Sequence, residues 1–580
     1  MKKRFTTIFG LLLMLCIQVQ AQEFESATDA VKNMGVGWNL GNTLDANSQT
    51  IADITNDGYW GQQGLDSETC WGQPVTTPEF IQMMKGAGFT AIRVPVTWYN
   101  HMDKDGNVNA AWMKRVHEIV DYVINAGLYC IVNVHHDTGA DQAGKYYHWL
   151  KADEDDFAKH GLRFTALWLQ IAAEFKDYGE KLLFESHNEM LDPLSSWCYA
   201  SFNASGQYDE AIAKSAYNTI NKYSEQFVNT VRATGGNNKT RNLILNTYAA
   251  ASGSGNWSTH LQDPLKEMVL PADVDGNEGH LLFEIHNYPK IANLENAKKE
   301  LDTNIEDLKK YLESQGAPLI YGEWGTSTVD TGEDYANNRE NMIEFLKYYV
   351  QKCKENNIAT FYWMGLSDGA ARSIPAFDQA DLAEALAKAY HGDDFAGKFP
   401  TMDDLDLLYV VDYQKDWAEL FLFGDWGNKA TLKMSEYQGL RLELEDDSAI
   451  SKLQVKLYGK DDTKNSTTKV TGASTTVEFA KFEGSIGDEV SMVTLQTTAG
   501  AQTVKVKKAT LIKADGTEEA STIKAAHGCE VKMGEPTAIR SIEAIKGDNP
   551  NAAVFNLAGQ RVSKPGKGIY IKNGKKYIVK

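Results

Sequence analysis

Cysteine is scarce, with six in 580 residues. Cys16 falls in an apolar leader, which leaves Cys70, Cys130, Cys198, Cys353 and Cys529. That set is odd in number, widely spaced and without a CxxC pair, so it indicates neither a disulfide framework nor a zinc site. Cys130, in a strand pattern, and Cys353, in a helix pattern, read as small core residues, and one disulfide among the others stays open. Positive charge is also short: 58 Lys and Arg face 78 Asp and Glu, a net charge of −20. Such a balance argues against nucleic acid as a partner and suits neutral or basic ligands. Beyond the leader no apolar run approaches the ~20 residues that a membrane helix needs. A Gly-rich phosphate loop is missing after the first strand candidate, which weakens the case for a doubly wound nucleotide-binding sheet.

The first residues carry Lys2, Lys3 and Arg4, then an apolar run over 9–19 and the small-residue pattern Val19-Gln20-Ala21. This pattern predicts a signal peptide over 1–21 and an exported, extracellular or cell-surface protein. A lipoprotein reading would need small residues before Cys16, where Met14 and Leu15 stand. With 43% hydrophobic residues, the chain is long enough for two folded domains. Between residues 34 and 391 short apolar runs alternate with helical periodicities, the signature of βα units. Eight strand candidates, at 35–40, 91–96, 129–136, 182–189, 242–248, 280–288, 319–325 and 360–365, predict an α/β fold, a (β/α)8 TIM barrel spanning 22–395. The helix before the second strand starts at Thr77-Pro78-Glu79 and stops at Gly86-Ala87-Gly88.

Past the barrel, 396–406 reads as a linker. Residues 407–533 are rich in Thr, Val, Ser and Gly in short alternating runs, which predicts an all-β sandwich. Trp417, Trp426, Tyr413 and Tyr437 there are either sandwich core or a surface for stacking on sugar rings. From residue 561 onward the chain has seven basic residues and no acidic one. The segment 537–580 predicts a short β tail with a hairpin at Asn573-Gly574, and a solvated basic terminus is the plainest account of its charge.

Two glutamates at strand ends suggest paired-carboxylate sugar chemistry. Glu189 closes LLFESHNE and Glu323 closes LIYGE. Glycoside hydrolysis needs one protonated and one ionised carboxyl group on opposite sides of the bond, and barrel enzymes keep their sites at the C-terminal ends of the strands. Arg93 on the second strand is a fitting partner for Glu323, holding it ionised as nucleophile. His135 and His136 supply neutral donors for sugar hydroxyls. No further carboxylate-histidine pattern clusters with them, so neither a metal nor a cofactor is expected. Alternation puts His286 and Tyr288 on one side of the sixth strand, facing the mouth. From there Tyr288 reaches the nucleophile and His286 orients the acid. Trp363 offers a flat face for a pyranose.

The ordered set GWNLGN (37–42), RVP (93–95), HH (135–136), NE (188–189), HNY (286–288), GEW (322–324) and YW (362–363) resembles glycoside hydrolase family five. ETCWGQP (68–74) and AGFTAIRVPVTW (87–98) are similar to its branch of bacterial endoglucanases with broad β-glucan specificity. The resemblance, over about 34–391, implies endo-acting, retaining cleavage of β-1,4-glucan, with Glu189 as acid/base and Glu323 as nucleophile. Arg93, His135, Asn188, His286, Tyr288 and Trp363 would complete the shell, and Asn42, Trp71, His136, Trp98 and Asp45 would border neighbouring subsites. The sandwich resembles ancillary carbohydrate-binding modules. The tail is similar to C-terminal segments of secreted Bacteroidetes proteins, which implies export from a Gram-negative cell and surface attachment. Three rivals stay open: the same mechanism on xyloglucan, mixed-linkage β-glucan, mannan or xylan; a non-catalytic carbohydrate-binding surface protein; and a metal-dependent hydrolase built on the two histidines. Oligomeric state is not legible.

Overall fold

Eight parallel strands close into a barrel in chain order: β1 Val36–Asn39, β2 Ala91–Val94, β3 Tyr129–Asn133, β4 Leu182–Glu185, β5 Leu243–Ala251, β6 Leu281–Asn287, β7 Leu319–Trp324 and β8 Ala359–Trp363. The computed structural model describes residues 24–534, apart from 48–62, 104, 142–147, 203–206, 275–277, 292, 327–338, 403–407, 427–430, 461–462 and 522, together with short strands between 554 and 579. The predicted leader, the end of the linker at 403–406 and the Asn573-Gly574 turn lie outside the described residues. The chain divides into two units, 1–402 and 403–580.

The barrel interior is stacked in layers. Its floor is apolar: Ala91, Ile131, Leu183, Ile244, Leu282, Ile320 and Ala359 meet Ala27, Val31 and Met34 of the helix Ala27–Met34. That helix starts at Ser26, whose side chain accepts from the Asp29 N–H at 3.1 Å. Side chains alternate along a strand, so the next inward position lies two residues on. Asn39, Arg93, Asn133, Glu185, Asn246 and Glu284 occupy that second layer, all fully buried, and β7 contributes Gly322. Buried charge of this density has to pair. The opposite strand faces carry Ile92, Val132, Phe184, Leu245, Phe283 and Tyr321, which are buried under the surrounding helices. Three of those helices match the periodicities: Pro78–Gly86 capped by Thr77, Ala110–Asn125 and Arg339–Glu355.

Two irregularities re-aim the top of the barrel. Between β6 and β7 the register runs Ile285↔Tyr321 and then His286↔Glu323, so Gly322 is an extra residue. Strict alternation from Gly322 would send Glu323 outward; the bulge turns it into the mouth and sends Trp324 out to stack on Tyr349 at 3.9 Å. On β5 the register jumps from Asn246↔Glu284 to Ala251↔His286, across Ala249 and Ala250 at φ 58° and 47°. Both are non-glycine residues in the left-handed region, strained positions of a kind that clusters at active sites.

The second unit is a β-sandwich of two antiparallel sheets. One has the order β14 (Asn465–Lys469), β13 (Leu453–Gly459), β16 (Glu489–Thr497), β10 (Glu419–Phe423) and β19 (Lys524–His527). The other runs β15 (Ser474–Glu478), β12 (Tyr437–Leu444), β17 (Gln502–Lys513), β9 (Leu408–Tyr413) and β20 (Cys529–Gly534). Short strands β11 (Leu432–Lys433) and β18 (Glu518–Ala520) pair with β16 and β17. Val411, Leu420, Leu440, Val455, Leu495 and Val506 fill the space between the sheets. The aromatic question divides here: Tyr413 is core and Tyr437 packs against it, whereas Trp417 and Trp426 are 55% and 49% exposed. The tail forms a four-stranded antiparallel sheet, β21 (Val554–Asn556) to β24 (Lys575–Val579). All five described cysteines are free thiols, so the disulfide left open by the sequence is not formed.

Candidate active site

Arg93 sits at the centre of the polar layer. Its Nε and Nη2 donate to the two oxygens of Glu185 at 2.6 and 2.7 Å, a forked, charge-assisted pair. Nη1 donates to Glu323 Oε1 at 2.7 Å and to Asn39 Oδ1 at 3.0 Å, and Nη2 also donates to Asn188 Oδ1 at 2.8 Å. Glu284 Oε1 lies 3.3 Å from Nε. Burial opposes the guanidinium charge, but Glu185, Glu284 and Glu323 together hold Arg93 well above its ordinary value. The expected Arg93–Glu323 pair is therefore present, but Arg93 serves three carboxyl groups.

Glu323 Oε2 accepts from the Tyr288 hydroxyl at 2.8 Å and lies 3.5 Å from His286 Nδ1. Burial pushes the Glu323 carboxyl upward, and the positive charges of His286 and Arg93 oppose that push. His286 Nδ1 is also 2.8 Å from Glu189 Oε1, and its Nε2 is 3.2 Å from Glu284 Oε1. Burial works against a charge on His286, yet Glu323, Glu189 and Glu284 raise it to about 10. One oxygen of Glu189 and one of Glu323 lie within 4.8 Å of each other and of a His286 nitrogen. Glu189 is the more open of the pair, with 22% of its side chain exposed against 6% for Glu323.

His135 is neutral: burial drives it well below the ordinary histidine value, and the charges of His136, Arg93 and His286 add to the effect. Its tautomer follows from Asn133, whose Oδ1 accepts from the Val96 N–H at 3.1 Å. That fixes the amide so that Nδ2 donates to His135 Nδ1 at 3.0 Å, leaving the proton on Nε2, 3.8 Å from Glu323 Oε1. Trp363 lies parallel to the His135 ring at 5.8 Å and 4°. Gly41 is needed there, since a Cβ would come within 2.9 Å of the Trp363 ring.

The remaining candidates separate. Trp71 is 36% exposed, with its indole N–H bonded to the Asn47 carbonyl, and its ring is 5.3 Å from that of His136. His136 Nε2 lies 3.6 Å from Asp45 Oδ2. Asn42 is half-buried at φ 55°, in a turn that Asp45 closes by accepting from the N–H groups of Asn42 and Thr43 at 3.1 and 2.7 Å. Asp45 is thus a buried turn clasp. Trp98 is fully buried with its N–H on the Asn133 carbonyl, part of the wall behind the cleft. The strands are also shorter than read: β3 ends at Asn133 and β4 at Glu185, so His135, His136, Asn188 and Glu189 stand on the loops just beyond them.

Sequence reasoning missed Glu185 and Glu284, hidden in the runs LLFE and LLFEIH. The alternation that found His286 and Tyr288 lands on Glu284 when stepped back once more. It also missed the wall on the Glu189 side, where Trp197, Cys198 and residues 249–254 line a pocket with Glu189, His286 and Tyr288. Trp197 is 43% exposed, and Trp257, 57% exposed, packs on Tyr199 and Phe202.

The cleft is therefore a barrel mouth with two close, unlike carboxyl groups. A cellulase (glycosyl hydrolase family 5) family model matches residues 46–368. Endoglucanase B of Neocallimastix patriciarum is 31% identical over 402 residues, covering 67% of this chain and 76% of the relative. Endoglucanase A of Clostridium longisporum is 33% identical over 350 residues, 60% of this chain and 61% of its own length. Among solved structures, a broad-specificity endoglucanase from an uncultured bacterium is 55% identical, with a TM-score of 0.61, over 65% of this chain and 98% of that one. A family 5 enzyme from Prevotella bryantii, a point variant in complex with a xyloglucan tetradecasaccharide, is 39% identical with a TM-score of 0.54, over 63% and 99%. The matched segment spans more than half of the chain and contains both glutamates with Arg93, His135, His286 and Tyr288: this chain belongs to the cellulase family, glycosyl hydrolase family 5.

Proposed function

We propose that this protein is a secreted, endo-acting retaining glycosidase that cleaves β-1,4-glucosidic bonds of cellulose-type glucans by double displacement. The observation that supports the reading is that one carboxylate oxygen of Glu189 and one of Glu323 lie within 4.8 Å of each other. Retaining enzymes hold their carboxyl groups about 5–5.5 Å apart, whereas inverting enzymes leave about 6.5–9.5 Å for a water. Glu323, fixed by Arg93 and Tyr288, attacks the anomeric carbon as Glu189 gives its proton to the departing glycosidic oxygen. Glu189 then takes a proton from water, which attacks the same carbon and releases Glu323. Asn188, its Oδ1 held by Arg93, presents its amide N–H groups to the sugar 2-hydroxyl, and Trp363 backs the ring. Trp197 and the wall beside Glu189 form the side on which the leaving sugar sits.

Reducing-sugar release from carboxymethylcellulose, xyloglucan, mixed-linkage β-glucan, mannan and xylan tests the substrate. Activity on the glucans, absent in a Glu189→Ala control, is the expected outcome. Cleavage of mannan or xylan alone would keep the mechanism and overturn the substrate, and silence throughout would favour a carbohydrate-binding protein. Xyloglucan is the second reading, favoured by the xyloglucan oligosaccharide in the Prevotella bryantii relative.

Export follows from the leader pattern over 1–21, and the mass of the exported chain should correspond to a start at Gln22. Among the described residues no helix is long and apolar enough to cross a membrane. The sandwich holds glucan through Trp426, whose exposed ring stands edge-on against Tyr458 at 5.4 Å. In the full chain, Trp426→Ala should weaken adsorption to insoluble cellulose several-fold, since one ring-on-sugar stack contributes about 1 kcal/mol, and leave hydrolysis of soluble glucan unaltered. Equal adsorption would remove Trp426 from binding.

A further inference from the structure

Below the two reacting carboxyl groups lies a third acidic element, the Glu185–Glu284 pair, which the double displacement does not use. Both are fully buried and both reach the same Arg93 Nε, Glu185 at 2.6 Å and Glu284 at 3.3 Å. Glu284 Oε1 faces His286 Nε2 at 3.2 Å, while its Oε2 receives no hydrogen bond from any donor among the described residues. An ionised carboxylate left with a bare buried oxygen beside a second carboxylate would be costly. A carboxylic acid resolves the conflict, because the bare oxygen becomes an O–H that donates to Glu185. Gly322 makes the room for it, since a methyl group there would collide with the Glu284 carboxyl.

We propose that Glu284 is a positioning residue for the acid/base step: as a neutral carboxylic acid bonded to Glu185, it receives the His286 Nε2–H and leaves the Nδ1 proton free to pass to Glu189. This inference rests on the reading of Glu189 as acid/base. The groups around Glu284 are Arg93 on β2, Glu185 on β4, His286 on β6 and Glu323 on β7, with the amides of Asn39, Asn133 and Asn246 on β1, β3 and β5 completing the layer. Burial and the charge of Glu185 push Glu284 up to about 8, against the pull of Arg93 and His286, and Glu185 is held low chiefly by Arg93 against its own burial.

The proton balance is simple. In the free enzyme the His286–Glu189 pair shares one proton across the 2.8 Å contact. Largest among the charges holding it on His286 is that of Glu323. That charge disappears as Glu323 becomes a glycosyl ester. The proton then moves from Nδ1 to Glu189 and on to the leaving oxygen, so imidazolium becomes imidazole and Glu189 ends as the carboxylate that later takes a proton from water. A negative charge on Glu284, 3.2 Å from Nε2, would keep the proton on His286 and starve Glu189 of it.

Infrared difference spectra of the substrate-free full chain, wild type minus Glu284→Gln, test the protonation directly. At neutral pH the difference should contain the carbonyl stretch of one protonated carboxylic acid; the stretches of an ionised carboxylate in its place would overturn the proposal, whatever Glu189 does. The pH dependence of kcat on soluble glucan tests the role. Glu284→Leu should lower kcat by about 30-fold or more with KM within about twofold, and narrow the profile on the side where Glu189 must be protonated. Glu284→Gln, a neutral isostere able to make the same hydrogen bonds, should restore most of the loss and the wild-type profile. A glutamine variant as impaired as the leucine one, or a leucine variant with wild-type kcat and profile, would overturn the role. Should the leucine variant fail to fold, Glu284→Met, of similar length but with no carboxyl group to receive the Nε2–H, should show the same loss in kcat. Hydrolysis of glucan at near wild-type kcat in Glu189→Ala would instead sink the acid/base reading and leave the infrared result standing.

Discussion

Glu323→Gln should lower kcat on soluble glucan by at least about 10⁴-fold, as expected when a nucleophile that forms a covalent intermediate is removed. The same change should leave Tm within about 2 °C of wild type, a shift that roughly 1 kcal/mol would produce in a barrel of this size. The separation follows from the contacts. The amide oxygen of glutamine still accepts from Arg93 Nη1, as Glu323 Oε1 does at 2.7 Å, and its NH₂ can donate to the Tyr288 oxygen once the phenol rotates. The sign of the electrostatic change also favours the variant. Burial raises the Glu323 carboxyl above its ordinary value, so folding favours its protonated form. Any stability it supplies is present at low pH and lost as pH rises through the folded value; at neutral pH its charge opposes folding, and removing it costs nothing on that account. Calorimetry beside a reducing-sugar assay checks both halves. A collapsed Tm with the lost rate would make Glu323 part of the frame that holds Arg93.

The barrel was legible because each strand carries its own signal. Eight apolar runs between helical periodicities are local facts, and all eight form strands. His286 and Tyr288 were legible for the same reason, since period-two alternation is a property of one strand. The polar layer was not. Asn39, Arg93, Asn133, Glu185, Asn246 and Glu284 become a layer only when six strands stand side by side, and in each strand alone the residue passes for a single polar interruption. The inward turn of Glu323 was hidden too, because it depends on a bulge at Gly322 set by pairing with β6. A glycine inside a strand is a signal for such a bulge, and that clue stands in LIYGEWG. Trp98 and Asp45 erred in the opposite direction. They sit beside legible motifs, but only the fold shows that one ring is sealed behind Asn133 and that both carboxylate oxygens of the other close a turn. In the sandwich the sequence left all four aromatics open, and only the packed sheets put Tyr413 in the core and Trp417 and Trp426 outside it.

Glu189→Ala should show the second large effect, and its pattern separates general acid–base catalysis from a purely structural role. On glucan, where the departing sugar needs a proton, kcat should fall by about 10²–10⁴-fold, the usual contribution of a positioned proton donor. On an aryl glycoside with a strongly acidic phenol as leaving group the first half-reaction needs no donor, so Glu323 should still form the glycosyl-enzyme. Water then attacks slowly because no base takes its proton, and the intermediate accumulates. Azide, already an anion, needs no base. It should restore turnover and give a glycosyl azide with the β configuration of the substrate, because two inversions at one carbon amount to retention. The cavity left by the missing carboxylate, walled by Trp197, Ala249 and Tyr288, is on the side from which azide must approach. With an activated leaving group and azide neither half-reaction needs a protonated donor, so azide rescue should persist to higher pH than wild-type hydrolysis does. An α-configured azide would mean that substrate reacts without passing through Glu323, and the closeness of the two carboxyl groups, with one oxygen of each within 4.8 Å, would then need another explanation.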